Sequence, residues 1–306
     1  MRIFAYQQLS ILTLIAASIV SSNTINVVES IQLDDDVNLQ LLTRDPISGN
    51  LFAAATNALY KFDTELNLVG KVKTGPVMDS IDCDPSVIDS CENLELVSNE
   101  PKVFLLNPVV PSTILFCGSV KQGLCAYVDK TSFQEMHYFP ADNKYNFAGG
   151  NLSITAFFST NATQVNGLEV LPLYVAIEYD NRPLALWPER FTSRRLHYDA
   201  NSGTMWLTLT HDGPKGRSAR NLPEERLLIH PVKHVMGFEY ENFVFFLSVQ
   251  HIELDQKDVF DFNPEIITRL TRFCRDDPNF SSVIEVDLYS NFETGKQTLY
   301  HYFLKA

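Results

Sequence analysis

Beyond its first two dozen residues the 306-residue sequence has no run of eighteen apolar residues, so no transmembrane helix is expected in the body of the chain. Positive charge is scarce: 24 Lys and Arg stand against 37 Asp and Glu, a net charge of −13, and no basic run is longer than the pair Arg194-Arg195. A nucleic-acid partner therefore has no electrostatic footing. Catalytic signatures are missing as well: there is no Gly-x-Ser-x-Gly, no His-Glu-x-x-His, no phosphate-binding loop and no Gly-x-Gly-x-x-Gly. Nothing specifies a nucleophile or a cofactor, which points to a binding module and away from an enzyme. No cysteine pair has the two-to-four-residue gap of zinc ligands. Asp34-Asp35-Asp36 lacks the glycine and spaced acids of a calcium loop, and Pro231 spoils the helix that would align His230 with His234.

What is present begins at the N-terminus. Arg2 precedes an apolar run from Leu9 to Val20, followed by the small residues Ser21 and Ser22. This is the pattern of a secretory signal peptide, expected over residues 1–22, with the mature domain at 23–306. Export makes the five cysteines readable as disulfide candidates. Cys83 and Cys91 lie eight apart, as do Cys117 and Cys125, so each pair can close a small loop, and Cys274 is left over. The same route gives weight to three glycosylation sequons, at Asn151, Asn161 and Asn279.

The stretch 38–75 sets the pattern of the body. Four short apolar runs, 38–44, 51–55, 58–62 and 68–72, are separated by turn residues at 45–50, 56–57 and 63–67. Such spacing reads as a four-stranded antiparallel meander. Its second run, Leu51-Phe-Ala-Ala-Ala55, is apolar at every position, so both faces of the sheet must be covered. The motif returns at 114–118 with 124–128, at 173–177 with 184–187, and at 243–247 with 266–270. Phe52, Leu115, Tyr174 and Val244 then occupy equivalent places, roughly sixty to seventy residues apart. Sheets repeated in this way and packed face to face around an axis make a β-propeller, with four blades in this chain; a β-sandwich would show the same short strands. Between the repeats, 142–167 is rich in Asn, Gly, Ser and Thr and reads as a connection with one strand at 153–158. The segment Arg190–His197 gathers three arginines and reads as a basic loop, solvated or in contact with a ligand.

Several of these residues resemble a known family. Thr74-Gly-Pro-Val-Met-Asp-Ser-Ile-Asp-Cys83 and Cys117-Gly-Ser-Val-Lys-Gln-Gly-Leu-Cys125 are similar to the two cysteine motifs of the sema domain of plexins, as are 49–62 and 266–280. Semaphorins share the fold but carry a Cys-Gly-Thr-x-Ala-Phe-x-Pro-x-Cys kind of second motif, and Gln122-Gly123 sides with the receptors. The resemblance implies a seven-bladed sema propeller of which this chain covers the N-terminal blades. It implies disulfides Cys83–Cys91 and Cys117–Cys125, and a partner for Cys274 beyond Ala306; where plexins place a further cysteine, around Ser290, this sequence has none. It also implies the extracellular part of a cell-surface receptor that binds the sema domain of semaphorins edge-on in axon guidance and cell migration, with a plexin homo-oligomer or co-receptor as further partners. The contact region falls within 181–250, and Arg194 and Arg195, on a stretch similar to the family's Ser-Arg-Lys motif, are the expected ligand contacts. A secreted semaphorin-like ligand with the same propeller is the alternative.

Overall fold

A computed structural model describes residues 33, 37–80, 83, 91–141, 153–178, 189–213, 216–217, 219–220, 232–251 and 266–288. The first sheet (I) is β1 (Leu39–Arg44), β2 (Leu51–Ala55), β3 (Ala58–Phe62) and β4 (Leu68–Lys73), paired antiparallel in chain order. Local chemistry sets its turns. Between β2 and β3 the chain reverses in two residues, with Asn57 in the left-handed region at φ 65°, where asparagine is tolerated. The Asp63 carboxylate accepts the backbone N–H groups of Glu65 and Asn67 and closes the turn before β4. A short hairpin, β5 (Val77–Asp79) with β6 (Glu95–Val97), leads to sheet II, which contains β7 (Pro101–Leu106), β8 (Thr113–Gly118), β9 (Cys125–Asp129) and β10 (His137–Tyr138).

Sheet III begins with β11 (Ile154–Phe158), the strand expected at 153–158. It belongs to the sheet and is not a connection: a side hairpin, β12 (Thr163–Val165) and β13 (Leu168–Val170), is inserted before β14 (Leu173–Ile177), and β11 pairs with β14 across it. The sheet continues with β15 (Phe191–Asp199) and β16 (Thr204–Leu209). A small hairpin, β17 (Asp212–Gly213) and β18 (Gly216–Arg217), and β19 (Ala219–Arg220), which pairs with the start of β15, follow. The strand that pairs with β14 is therefore β15, one run later than the sequence suggests; residues 184–187 lie outside the described residues. Sheet IV contains β20 (Val232–Tyr240), β21 (Phe243–His251), β22 (Ile266–Cys274) and β23 (Ile284–Leu288) in order.

The four sheets are arranged radially. The first strands lie side by side, β1 along β7, β7 along β11 and β11 along β20, and each sheet then runs outward to its fourth strand. Alternation along a strand sends successive side chains to opposite faces, so a strand between two other sheets must be apolar throughout. In β8, all six residues are buried: Ile114 and Phe116 pack with Phe52, Ala54 and Leu59 of sheet I, and Leu115 and Cys117 with Leu173 and Val175 of sheet III. The same rule accounts for β14, whose Tyr174 and Ala176 pack with Val244, Phe246 and Phe273 of sheet IV. A two-sheet sandwich has no place for three successive interfaces of this kind, and the propeller reading stands. Burial of each large apolar side chain contributes about 1.5–3 kcal/mol.

Polar ties cross the seams. Between I and II, Lys130 Nζ reaches the Asp45 carboxylate at 3.0 Å, and the Asn99 side chain donates to Thr74 O and accepts from Ser119 N, both at 3.0 Å. Between III and IV, Ser159 and Thr160 donate to Glu239, and His234 N donates to Ser153 Oγ. The His234 ring is buried edge-on to Phe191 at 5.4 Å. Burial first, and the Arg190 charge second, hold its pKa well below the usual histidine value. On its far side sheet IV differs from the others. Met236, Leu247, Leu270 and Val286 form one cross-strand row and Phe238, Phe245, Arg272 and Ile284 the next, and much of this face is open to solvent, Met236 and Val286 being 47% and 50% exposed.

Candidate partner-binding rim on sheet III

The segment from Phe191 to Asp199 is a strand and not a basic loop. Thr192, Arg194 and Leu196 lie across from Val175, Leu173 and Leu207 on one face, whereas Ser193, Arg195 and His197 take the other. Arg194 is completely buried, with its Nε donating to Thr192 Oγ1 at 3.0 Å. Arg190 is buried too, its guanidinium 4.8 Å from the Phe191 ring centre. The expected ligand contact at Arg194 is corrected accordingly: strand alternation turns this side chain into the interior, where no partner surface reaches it. Arg195, one residue on, is half-buried on the opposite face.

Arg195 stands in a cleft of about 330 Å³ at the outer part of sheet III, lined also by Val109, Glu169, Leu171, His197, Tyr198 and Trp206. Register assembles it. Arg195 pairs with Thr208 and His197 with Trp206, which places these four on one face of β15 and β16. The His197 and Trp206 rings stack in parallel, 5.0 Å between centres with 2° between planes, and His197 Nε2 lies 2.8 Å from Thr208 Oγ1. Burial and the Arg195 charge push the His197 pKa below its ordinary value, so the imidazole is neutral at physiological pH. The segment that follows the hairpin turn of β12 and β13 supplies another wall, with Glu169 exposed on it. Among the described residues Arg195 meets no hydrogen-bond acceptor and no carboxylate. Stacked rings beside a half-buried guanidinium make a surface suited to recognition, with affinity for flat and anionic groups. Sequence reasoning selected Arg195 but missed Trp206 and His197, whose signal was the alternation of 191–199 against 204–209.

The other singled-out residues take structural places. Cys117 and Cys125 are joined directly across β8 and β9, with Cα atoms 4.1 Å apart, and Cys83 is joined to Cys91. Lys121 and Gln122, between them, both adopt left-handed backbone, at φ 53° and 58°. The turn so formed reaches the first disulfide loop: Gln122 Nε2 donates to Cys83 O at 3.0 Å and Lys121 N to Asp79 Oδ2 at 2.6 Å. Burial raises the Asp79 pKa against the opposing pull of the Lys121 and Ser80 N–H groups. Cys274 is free and half-buried, opposite Phe243 on the open side of sheet IV. Asn161 and Asn279 are exposed, the latter accepting from Arg217 N at 3.0 Å; Asn151, His230 and the residues 1–32 lie outside the described residues. Asp199 accepts from Asn201 N and Ser202 Oγ as a turn staple. No cluster of three or more metal-ligating side chains forms among the described residues. Among these residues, too, no helix is long and apolar enough to cross a membrane.

Human Plexin-A4 is 24% identical to the chain over 251 residues, 81% of this chain and 13% of Plexin-A4. Human Plexin-B1 is 43% identical over 88 residues, 28% of this chain and 4% of Plexin-B1. Part of the solved full extracellular region of Plexin A4 has the same fold, with a TM-score of 0.70 at 22% identity over 85% of this chain and 28% of that one. No family model matches the chain. The chain thus spans only a small part of the length of these relatives. Its sheets, stacked about a common centre with each first strand innermost, are blades of a sema-type β-propeller that do not close into a ring, and the chain is a homologue of the plexins across most of its length.

Proposed function

We propose that the chain is the ligand-binding sema region of a plexin-like receptor, working outside the cell by holding the sema domain of a semaphorin against the rim of its middle blades. No bond chemistry is performed; the propeller supplies a rigid frame and the rim supplies the contacts. The observation that carries this reading is the kinship with plexins along 81% of the chain, and Arg195, in the cleft, lies within 181–250, the contact region expected from the sequence resemblance. Export through a leader at 1–22 and glycans at Asn161 and Asn279 belong to the same proposal. The test is direct: the secreted chain, captured on a sensor surface, is exposed to purified semaphorin sema domains and, separately, to plexin sema domains. Saturable binding of a semaphorin supports a receptor. Binding of plexins alone makes it a semaphorin-like ligand, and binding of neither overturns the proposal.

A further inference from the structure

The cleft on sheet III holds a cation that makes no ion pair or hydrogen bond among the described residues, and this defines the chemistry of what enters it. Arg195 is half-buried, so its guanidinium has lost part of its water, yet among the described residues no carboxylate or carbonyl compensates it. Such a group gains more from a charged acceptor than an exposed arginine does, because a planar fork accepts a carboxylate through two parallel hydrogen bonds in a partly desolvated site. The parallel His197 and Trp206 rings beside it offer an apolar shelf. Glu169 on another wall limits the choice. It leaves the Arg195 end favourable for one negative group and makes the cleft as a whole unfavourable for a chain of them, as does the net charge of −13. A volume of about 330 Å³ is at the small end for ligand clefts and suits a side chain better than a polymer.

We propose that the cleft takes an acidic side chain from a protruding loop of the protein partner, its carboxylate on the Arg195 guanidinium and its stem against the His197–Trp206 shelf. This rests on the receptor reading above and names the contact made at that rim. The partner surface is then acidic only locally, at the loop tip.

The experiment measures Kd of a bound semaphorin sema domain for the wild-type chain and for Arg195→Lys, Arg195→Gln and Arg195→Glu. Arg195 makes no hydrogen bond or ion pair among the described residues, so all three variants are expected to keep the wild-type circular dichroism spectrum and a melting temperature close to wild type. Arg195→Gln weakens binding at least about tenfold, Arg195→Glu more, and Arg195→Lys, which keeps the charge but loses the fork, falls between. Raising salt from about 50 to about 300 mM slows association of the wild type more than of Arg195→Gln. Wild-type affinity in both the Gln and Glu variants overturns the inference while leaving the receptor reading in place. If no semaphorin binds even the wild type, both fall. Retention on a heparin column that is lost in Arg195→Gln makes the cleft a polyanion site, which also overturns the inference.

Discussion

Replacing Gly118 by alanine isolates one seam of the propeller. A Cβ on Gly118 would overlap Asn99 Oδ1, with Asn99 Cγ at 2.7 Å and Nδ2 at 2.9 Å, and all three obstacles are side-chain atoms of the same residue. Gly118 has no left-handed backbone, so alanine is conformationally acceptable there and only the collision counts. Asn99 can give way only by abandoning Thr74 O and Ser119 N, which are then left without their partner at a buried seam. Overpacking of this kind costs about 1–3 kcal/mol, and stranding buried hydrogen-bonding groups about 1–3 kcal/mol more, so Gly118→Ala should lose about 3–5 kcal/mol. Asn99→Ala alone loses the two bonds and should cost about 2–4 kcal/mol. In the Asn99→Ala background the obstacles are gone, and Gly118→Ala should then cost nothing or stabilise by about 0.4–1 kcal/mol through the unfolded chain. A double-mutant cycle by urea unfolding, followed by circular dichroism, therefore yields a coupling of about 3–6 kcal/mol. With slopes of about 1–3 kcal/mol per molar urea, a loss of this size moves the midpoint by about 1 M or more. Additive losses in the double variant would refute the assignment of Asn99 as the residue that fills the space over Gly118.

Three further outcomes follow from the same structure. His234 titrates below its unfolded value of 6.5, so the unfolded chain binds the extra proton and stability falls as pH drops below about 6.5, by up to about 1.4 kcal/mol per unit; unfolding at pH 7.5 and 5.5 should show this loss in the wild type and a smaller one in His234→Phe. Phe246, wholly buried between sheets III and IV, should cost about 3–5 kcal/mol as Phe246→Ala, measured in the same urea assay, whereas Leu288→Ala on the open side of sheet IV should cost under about 1 kcal/mol. Peptide-N-glycosidase digestion of the secreted chain should shift its electrophoretic mobility, and Asn161→Gln and Asn279→Gln should each remove one step of that shift.

How much of this was legible beforehand depended on what bounded each strand. In sheet I the runs lie between Asp, Pro, Gly and Asn, whose turn preferences are local, and the expected 51–55 and 58–62 match β2 and β3 residue for residue. Sheet III was harder because two of its features depend on tertiary contacts. The insertion of β12 and β13 separates β11 from its neighbour β14, and β15 carries buried Arg194 and follows directly on buried Arg190, charges that a pattern argument assigns to the surface. The ionic strand hid the core strand. Ile284-Glu-Val-Asp-Leu288 alternates cleanly, yet its apolar side is the open one, so β23 had no hydrophobic run to announce it. The candidate cleft was half visible: Arg195 came from a motif, but the His197–Trp206 stack exists only through the register of β15 with β16, and nothing within either strand alone specifies that pairing.

The side of sheet IV that is exposed among the described residues has a practical consequence for handling this chain. A plane of Met236, Phe238, Tyr240, Ile284 and Val286 held rigid by strand pairing cannot fold its apolar groups away from water, so it will take up other greasy surfaces at hand. Purified chain should bind hydrophobic dyes without any denaturant, grow in hydrodynamic radius as it is concentrated, and linger with chaperones in the secretory pathway. Replacing Phe238 and Val286 with lysine should relieve all three at little expense to folding, because both residues already face outward.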